Sequence, residues 1–213
     1  AGGQTRPGCV SIMTVHRSKG LEFPVVFVAD TAHQFNQSDA VRPVLTHSRL
    51  GVGVMLRAPR AAKRFKTLPY AALAQAIRTE TLSEEMRVLY VALTRAQDAL
   101  IITVPLKKAE TAMKTPALCA AAESVGSESM RSMTSWSGWL LTAALLHPDS
   151  DALWEYTSFL PHHRPTQVPL RIRLVPLPEA EETPASPPPP KPDAGTVARL
   201  RESFAWHSPR AAL

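Results

Sequence analysis

Short apolar runs alternate with one long helical pattern along this chain. Two early runs, residues 10–14 (VSIMT) and 25–29 (VVFVA), are rich in β-branched residues and flanked by turn residues, which predicts buried strands. Only about ten residues separate them, which allows a parallel pair with a very short crossover. A third run at residues 100–104 predicts a third core strand. The pattern therefore favours an α/β domain with a parallel sheet.

A helical pattern precedes the third strand. Its apolar positions recur at i, i+3, i+4 and i+7: Met86, Leu89, Tyr90 and Leu93. Thr81 and Glu84 stand at the spacing of a capping box, which predicts a helix that begins near Ser83. The opposite face is apolar too: Val88, Val91 and Ala92. We therefore expect this helix to lie over the sheet and to be covered on most of its circumference.

Weaker patterns fill the rest of the chain. Residues 50–56 (LGVGVML) predict a hairpin with glycines at bulge-like positions, and residues 61–79 predict a helix interrupted at Pro69. Residues 134–146 (TSWSGWLLTAALL) predict a helix whose tryptophans face a core rather than stack on bases. Residues 120–135 are predicted to form a loop. Residues 176–192 hold 8 of the 20 prolines, which is typical of a semi-rigid linker.

Composition narrows the class of protein. The chain has 213 residues, of which 45% are hydrophobic, enough for a real core. No apolar run reaches 18 residues and the amino terminus has no signal-peptide core, so we expect a cytoplasmic protein with no membrane partner. Cys9 and Cys119 are far apart, so we expect neither a disulfide framework nor a metal site, but buried or idle thiols.

The net charge of +6 is unevenly distributed. Residues 1–110 contain 15 Lys and Arg against 8 Asp and Glu, whereas residues 111–213 contain 9 against 10. Within the basic half, no acidic residue occurs from Val41 to Arg78. Clustered cations suit a polyanion such as nucleic acid, because phosphate contacts release counterions. An arginine-rich solvated surface is the alternative interpretation.

Two sites carry candidate chemistry. Arg95 ends the predicted helix, where its rigid fork of donors suits phosphate; alternatively, it satisfies carbonyls at the helix end or pairs with Asp98. Upstream, Gly20 permits a tight turn, beside which Ser18 and Lys19 offer donors. Glu22 follows, where a carboxylate can cap amides or reach a sugar hydroxyl. His16 has no second metal ligand at suitable spacing, so a structural histidine is the simpler interpretation.

Two stretches resemble known motifs. TVHRSKGLEFPVVFV at residues 14–28 resembles motif V of UvrD-like superfamily 1 DNA helicases, and EEMRVLYVALTRAQDALII at residues 84–102 resembles their motif VI. The neighbouring HQFN, HSRLGVGV and SWSGWLL segments are most similar to the AddA-type subunits of bacterial AddAB helicase-nucleases. The resemblance is close over residues 10–105 and faint beyond.

The resemblance implies specific roles. Arg95 matches the arginine that reaches the ATP γ-phosphate from the second of two RecA-like domains, and Glu22 and Gly20 match the nucleotide side of motif V. Thr14 and His16, with Arg17 and Ser18, match the side that faces single-stranded DNA. Tyr90 matches a packing position of motif VI. One turn would therefore touch both DNA and nucleotide.

The resemblance also implies an organisation. We expect a second RecA-like domain at residues 1–115 with a basic insertion at 36–80, a helical extension at 116–175, the Pro-rich linker at 176–195, and at 196–213 the start of a segment towards a nuclease domain. The sequence contains neither a G-x-x-x-x-G-K-[ST] phosphate loop nor an Asp-Glu pair after a strand. We therefore expect a piece of a longer subunit that does not hydrolyse ATP by itself, because the first RecA-like domain binds most of the ATP and Mg²⁺.

Two functions remain open at this point. In the first, the chain belongs to an ATP-dependent 3′-to-5′ DNA helicase that resects double-strand breaks in the bacterial cytoplasm, near the nucleoid. Its partners would be single-stranded and duplex DNA and an AddB-like second subunit. In the second, it is a non-catalytic DNA- or protein-binding module that retains the RecA-like fold. The presence of Arg95, Glu22 and Gly20 together favours the first.

Overall fold

The computed structural model describes residues 9–57, 63–122 and 125–176. In chain order, its elements are β1 (Phe23–Val28), β2 (Val44–His47), β3 (Gly51–Arg57), β4 (Arg64–Lys66), α1 (Leu68–Leu93), β5 (Ala96–Ile102), α2 (Ala109–Ala121), α3 (Ser127–Ser132), α4 (Trp136–Leu145) and α5 (Asp151–Trp154). Short 3-10 turns occupy Val15–Ser18, Ser38–Val41 and Pro148–Ser150. The predicted α/β class is confirmed.

The central sheet pairs β1 with β5 in parallel, with Val25 opposite Ala99 and Val28 opposite Ile102. The register shifts between Phe23 and Val25, at Pro24, which has no N–H to donate. Within the described residues this sheet has two strands rather than the predicted three.

The predicted strand at residues 10–14 is wrong for the described chain. These residues form no regular element, and the side chains of Val10 and Ile12 are 91% and 97% exposed. A β-branched run becomes a strand only where a neighbour completes its hydrogen bonds, and β1 pairs with β5 instead.

The helix α1 begins 15 residues before the predicted start at Ser83, at Leu68. Thr67 is its N-cap, because its hydroxyl accepts a hydrogen bond from the backbone N–H of Tyr70 at 3.2 Å. Pro69 lies in the first turn, so it helps to start the helix instead of interrupting it. The predicted capping box is wrong, because the Thr81 hydroxyl donates back to the Ile77 carbonyl at 3.0 Å within the helix.

The environment of α1 also differs from the expectation. Leu89 and Ala92 are buried, but Met86 and Tyr90 are 42% and 68% exposed in the described part of the chain. The helix is therefore covered on one side instead of on most of its circumference. The Tyr90 carbonyl accepts hydrogen bonds from the backbone N–H and the hydroxyl of Thr94 at the end of α1.

The basic insertion contains a hairpin, as predicted, but residues 51–57 form only one of its strands, β3, which pairs with β2 and with a third strand, β4. In this antiparallel sheet, β3 lies between β2 and β4. Tyr70, Leu73 and Ala74 of α1 pack on Leu45 of β2. Gly53 lies against the start of α1, and a Cβ at this position would be 2.7 Å from the Tyr70 Cα. The glycine therefore permits close packing with the helix and does not mark a bulge.

The helices after β5 contribute to two hydrophobic clusters. Trp139 is buried with Phe35, Leu89 and Cys119, and its ring centroid is 4.9 Å from that of Phe35. The predicted core orientation of Trp139 is confirmed. The predicted loop at 120–135 is only partly correct, because α3 lies within it. A second cluster joins α2, α4 and α5: Met113, Ala117, Ala120, Leu141, Leu145, Leu153 and Trp154.

Two of the predicted domain boundaries can be compared with the described residues. The boundary between residues 115 and 116 falls inside α2, and one compact unit extends to Ile172, with a second beginning at Arg173. Of the predicted Pro-rich linker and the final segment, all but residue 176 lie outside the described residues. Cys119 is buried and Cys9 is exposed, and both are free thiols.

Candidate functional site

The two motif-like stretches meet at the amino ends of β1 and β5. Glu22 immediately precedes β1, and Arg95 immediately precedes β5. Because the strands are parallel neighbours, the residues before them lie at the same edge of the sheet. The backbone N–H of Phe23 donates to the Arg95 carbonyl at 2.9 Å and closes this edge. An open α/β sheet usually holds its own ligand at the carboxyl ends of its strands. Glu22 and Arg95 lie at the opposite edge, formed by the amino ends of the strands.

The Arg95 side chain folds back onto the protein. Its Nε donates to the Val91 carbonyl at 3.0 Å, its Nη1 to the Leu21 carbonyl at 2.9 Å, and its Nη2 to the Thr94 hydroxyl at 3.0 Å. The first bond satisfies a free carbonyl at the end of α1, which is one of the structural roles that the sequence suggested. No ion pair with Asp98 occurs among the described residues.

Arg95 retains capacity to bind an anion. A guanidinium has five N–H donors, and three of them are used by Val91, Leu21 and Thr94. The side chain is partly exposed at the sheet edge. Because the backbone of two motifs holds it, the guanidinium is oriented before any ligand arrives, and the remaining donors suit phosphate oxygens.

Glu22 is exposed and has one hydrogen-bond partner in the described chain. Its Oε2 accepts from the side-chain amide of Gln97 at 3.1 Å. Gln97 lies two residues after Arg95. The hydrogen bond therefore joins a side chain of the first motif-like stretch to one of the second. Sequence reasoning missed Gln97. Its position next to Ala96, which is opposite Phe23 in the ladder, becomes meaningful only once the register is known.

Gly20 shapes the turn that brings Leu21 and Glu22 to this edge. Its φ is +79°, in the left-handed region that side chains other than glycine rarely adopt. The backbone N–H of Leu21 donates to the Ser18 carbonyl at 3.0 Å and tightens the turn. The predicted tight turn at Gly20 is confirmed, and it places the Leu21 carbonyl where it accepts the hydrogen bond from Arg95.

The predicted DNA-facing residues surround the 3-10 turn at Val15–Ser18. The Thr14 carbonyl starts the turn by accepting from the backbone N–H groups of Arg17 and Ser18 at 3.0 and 3.3 Å. Thr14, His16 and Arg17 are exposed. Ser18 is buried, and its hydroxyl donates to the Val15 carbonyl at 2.7 Å. Three of the four side chains are therefore available to a ligand, while Ser18 stabilises the turn.

Two other types of site are absent from the described residues. The described residues contain no group of three or more His, Cys, Asp or Glu side chains arranged to hold a metal ion. Within the same residues, no helix is both long enough and apolar enough to span a bilayer.

Similarity to known proteins agrees with this geometry. Residues 2–107 match, and belong to, the family described as the UvrD-like helicase C-terminal domain. The matched residues include both parallel strands, α1, Glu22 and Arg95.

Individual relatives share one name, which describes each as the A subunit of an ATP-dependent helicase/nuclease. The protein from Moorella thermoacetica is 40% identical over 148 residues, which are 68% of this chain and 10% of the relative. The protein from Ruminiclostridium cellulolyticum is 49% identical over 44% of this chain and 8% of the relative. The protein from Lactiplantibacillus plantarum is 34% identical over 71% of this chain and 12% of the relative. The chain thus spans roughly a tenth of the length of these relatives.

Proposed function

We propose that this chain is the second RecA-like motor domain of an ATP-dependent DNA helicase that forms part of a helicase-nuclease. Its role is to complete an ATP site whose phosphate loop lies on another domain, because the chain contains no such loop. The observation that carries this proposal is the joint anchoring of Arg95 and Glu22 at one sheet edge. The shared name of the relatives, an ATP-dependent helicase/nuclease, supports the same assignment.

Arg95 acts as the arginine that stabilises the charge of the transferring phosphoryl group. The transition state of phosphoryl transfer spreads negative charge over the equatorial oxygens, and a positioned guanidinium lowers its free energy. The bond from Arg95 to the Leu21 carbonyl holds the guanidinium at the domain edge before ATP arrives. Preorganisation of this kind avoids the cost of reorienting the side chain during the reaction.

Glu22 and Gly20 form the nucleotide side of the same turn. The exposed Glu22 carboxylate is suited to accept a hydrogen bond from a ribose hydroxyl, as acidic residues in nucleotide sites do. Mg²⁺ bound with ATP would neutralise phosphate charge, and it would be held chiefly by the other domain, because the described residues offer no ligand cluster.

DNA contacts the other end of the turn. Thr14, His16 and Arg17 are exposed there, while Gly20 and Glu22 lie a few residues away. A movement of this turn when ATP closes the two domains would therefore also move the groups that hold single-stranded DNA. This arrangement provides a direct mechanical link between ATP hydrolysis and translocation, which we assign the 3′-to-5′ direction.

The biological setting follows from the same proposal. The protein unwinds and resects DNA at double-strand breaks for recombinational repair, and its partner is an AddB-like second subunit. It would act in the bacterial cytoplasm at the nucleoid. Duplex DNA enters the complex, and the single strand passes over the turn at Val15–Ser18.

The decisive experiment measures ATP turnover, with and without single-stranded DNA, by the complete subunit that contains this chain and a phosphate loop. We expect Arg95→Ala to lower DNA-stimulated turnover by ~10³-fold or more while ATP binding persists, because an arginine finger is lost. Arg95→Lys should also be impaired, since an ammonium cannot reproduce the planar fork.

Arg87→Ala is the matched control. Arg87 lies on α1, eight positions before Arg95, is exposed and pairs with Glu84 at the surface. Its loss removes the same charge without changing the sheet edge, so turnover should be unchanged. Equal turnover in wild type and Arg95→Ala would refute the catalytic role of Arg95.

One observation favours a second candidate function, a DNA- or protein-binding module without motor activity. The three side-chain hydrogen bonds of Arg95 satisfy the Val91 and Leu21 carbonyls and the Thr94 hydroxyl, as those of a purely structural arginine would. The module predicts DNA binding that ATP does not alter and turnover that Arg95→Ala does not change. The same assay therefore separates the two functions.

A further inference from the structure

The antiparallel sheet of the insertion ends in a two-stranded ribbon. β2 pairs with β3 from Gly51 to Val54, whereas β4 pairs with the following residues of β3, from Met55 to Arg57. The end of β3 and all of β4 therefore extend beyond β2. Except for the partly buried Met55, the side chains in this ribbon are exposed.

One face of this ribbon is cationic. Arg57 and Arg64 are direct cross-strand partners, so their side chains lie on the same face, and Lys66 lies two residues further along β4 on that face. We call these three residues the cationic ribbon face. Like charges directly opposite each other destabilise a sheet. Their juxtaposition therefore needs a reason other than folding stability.

No acid of the described structure neutralises the cationic ribbon face. The sequence has no Asp or Glu from Val41 to Arg78. The acids just outside this stretch are engaged elsewhere, because Asp39 pairs with Arg42 at 2.8 Å and Glu80 contacts His47 at 3.0 Å. None of the three cations forms an ion pair among the residues that the structure describes. An external polyanion would relieve their repulsion.

We propose that the cationic ribbon face binds the phosphate backbone of duplex DNA. This inference rests on the proposed function, which makes DNA the substrate, and it adds a contact separate from the turn at Val15–Ser18. Cross-strand neighbours are about 5 Å apart and alternate residues of a strand about 7 Å, so the three charges form a compact array against repeating phosphates. Each phosphate contact releases counterions and adds affinity without reading the sequence.

The shape of the ribbon favours duplex over single-stranded DNA. Single-strand sites combine basic residues with aromatic platforms for the bases, but the aromatic residue of this ribbon, Phe65, points to the opposite face together with Leu56. In contrast, a two-stranded β-ribbon fits the major groove of B-DNA, which is about 12 Å wide. The side chains of the cationic ribbon face would then contact the phosphates, and Leu56 and Phe65 would not.

The test is equilibrium binding of the 213-residue chain to a blunt duplex of about two helical turns and to one of its single strands, at several salt concentrations without ATP. The variant combines Arg57→Gln, Arg64→Gln and Lys66→Gln. We expect the slope of log K against log salt on duplex to become shallower by about 2.7, and affinity at about 0.1 M salt to fall roughly tenfold or more, because three phosphate contacts are lost.

Two controls isolate the ribbon. Lys107→Gln, Lys108→Gln and Lys114→Gln remove the same charge from exposed positions near and within α2, and this variant should keep most of the affinity and the slope. Arg57→Lys with Arg64→Lys retains the charges, so duplex binding should persist. Circular dichroism checks folding of each variant, and Arg64→Gln alone replaces the triple variant if that variant unfolds.

Three results would overturn the proposal: duplex binding by the triple variant equal to wild type, an equal loss in the α2 control, or a loss confined to single-stranded DNA. Failure here leaves the motor function intact, because the assay contains no ATP. Conversely, Arg95→Ala should bind duplex like wild type even where it abolishes turnover.

Discussion

The Thr31 hydroxyl donates a hydrogen bond to the Thr103 carbonyl at 2.7 Å, across 72 positions of the chain. Thr31 is 1% exposed, and the two residues follow the carboxyl ends of β1 and β5. The Thr31 carbonyl in turn accepts from the backbone N–H of Ser137 in α4 at 2.7 Å. One buried threonine therefore joins the parallel sheet to the helices that follow it.

Thr31→Val should lower the free energy of unfolding by about 0.5 to 1.5 kcal/mol, because the buried Thr31 loses its hydrogen bond to the Thr103 carbonyl while the shape of the side chain is kept. Urea denaturation of the 213-residue chain measures this change. Thr46→Val is the control, since Thr46 is exposed on β2, and its effect should be small. Equal losses at the two positions would show that the Thr31 bond adds nothing.

Gly20→Ala should destabilise the chain by about 1 to 2 kcal/mol, because a Cβ is unfavourable at its φ of +79°. Space is not the cause, since a Cβ would meet no atom within 4 Å. Gly20→Asn provides the comparison, because asparagine tolerates this conformation better and should cost less. Thermal denaturation of both variants measures these changes in stability. An alanine variant as stable as wild type would contradict the prediction.

Gly53→Ala should cost roughly 1 to 3 kcal/mol by overpacking, because its Cβ would lie 2.7 Å from the Tyr70 Cα and 2.9 Å from the Tyr70 nitrogen. Both atoms belong to the backbone of α1, so the helix itself would have to move. Val52→Ala, an exposed neighbour on the other face of β3, is the control for loss of strand propensity. Denaturation curves that shift more for Val52 than for Gly53 would refute the packing argument.

The sequence predicted much of the candidate site, because the site consists of short local motifs. The glycine at position 20, the acid at 22 and the arginine at 95 each lie beside a strand with a clear apolar pattern. Gln97 and the burial of Ser18 were missed. Both depend on which segments become neighbours, since Gln97 meets Glu22 only through the pairing of β1 with β5.

The start of α1 shows how a local signal fails. Thr81 and Glu84 have the spacing of a cap, but that spacing also occurs inside a helix. Thr67 is the cap in the structure, because the hairpin packs on the first turns of α1 and holds them helical. The side-chain hydroxyl of Thr67 also donates to the Val54 carbonyl at 2.9 Å, so the same residue fastens the helix start to β3.

By itself, the sequence determined the elements whose pattern is local: β1, the hairpin, the second half of α1 and the inward face of Trp139. Periodic burial and turn chemistry within a few residues suffice for these. Only the tertiary structure decided that β1 pairs with β5, that residues 10–14 remain outside the sheet, and that Thr31 ties the sheet to α4. Those outcomes depend on hydrogen bonds and buried contacts between distant segments, which no local pattern encodes.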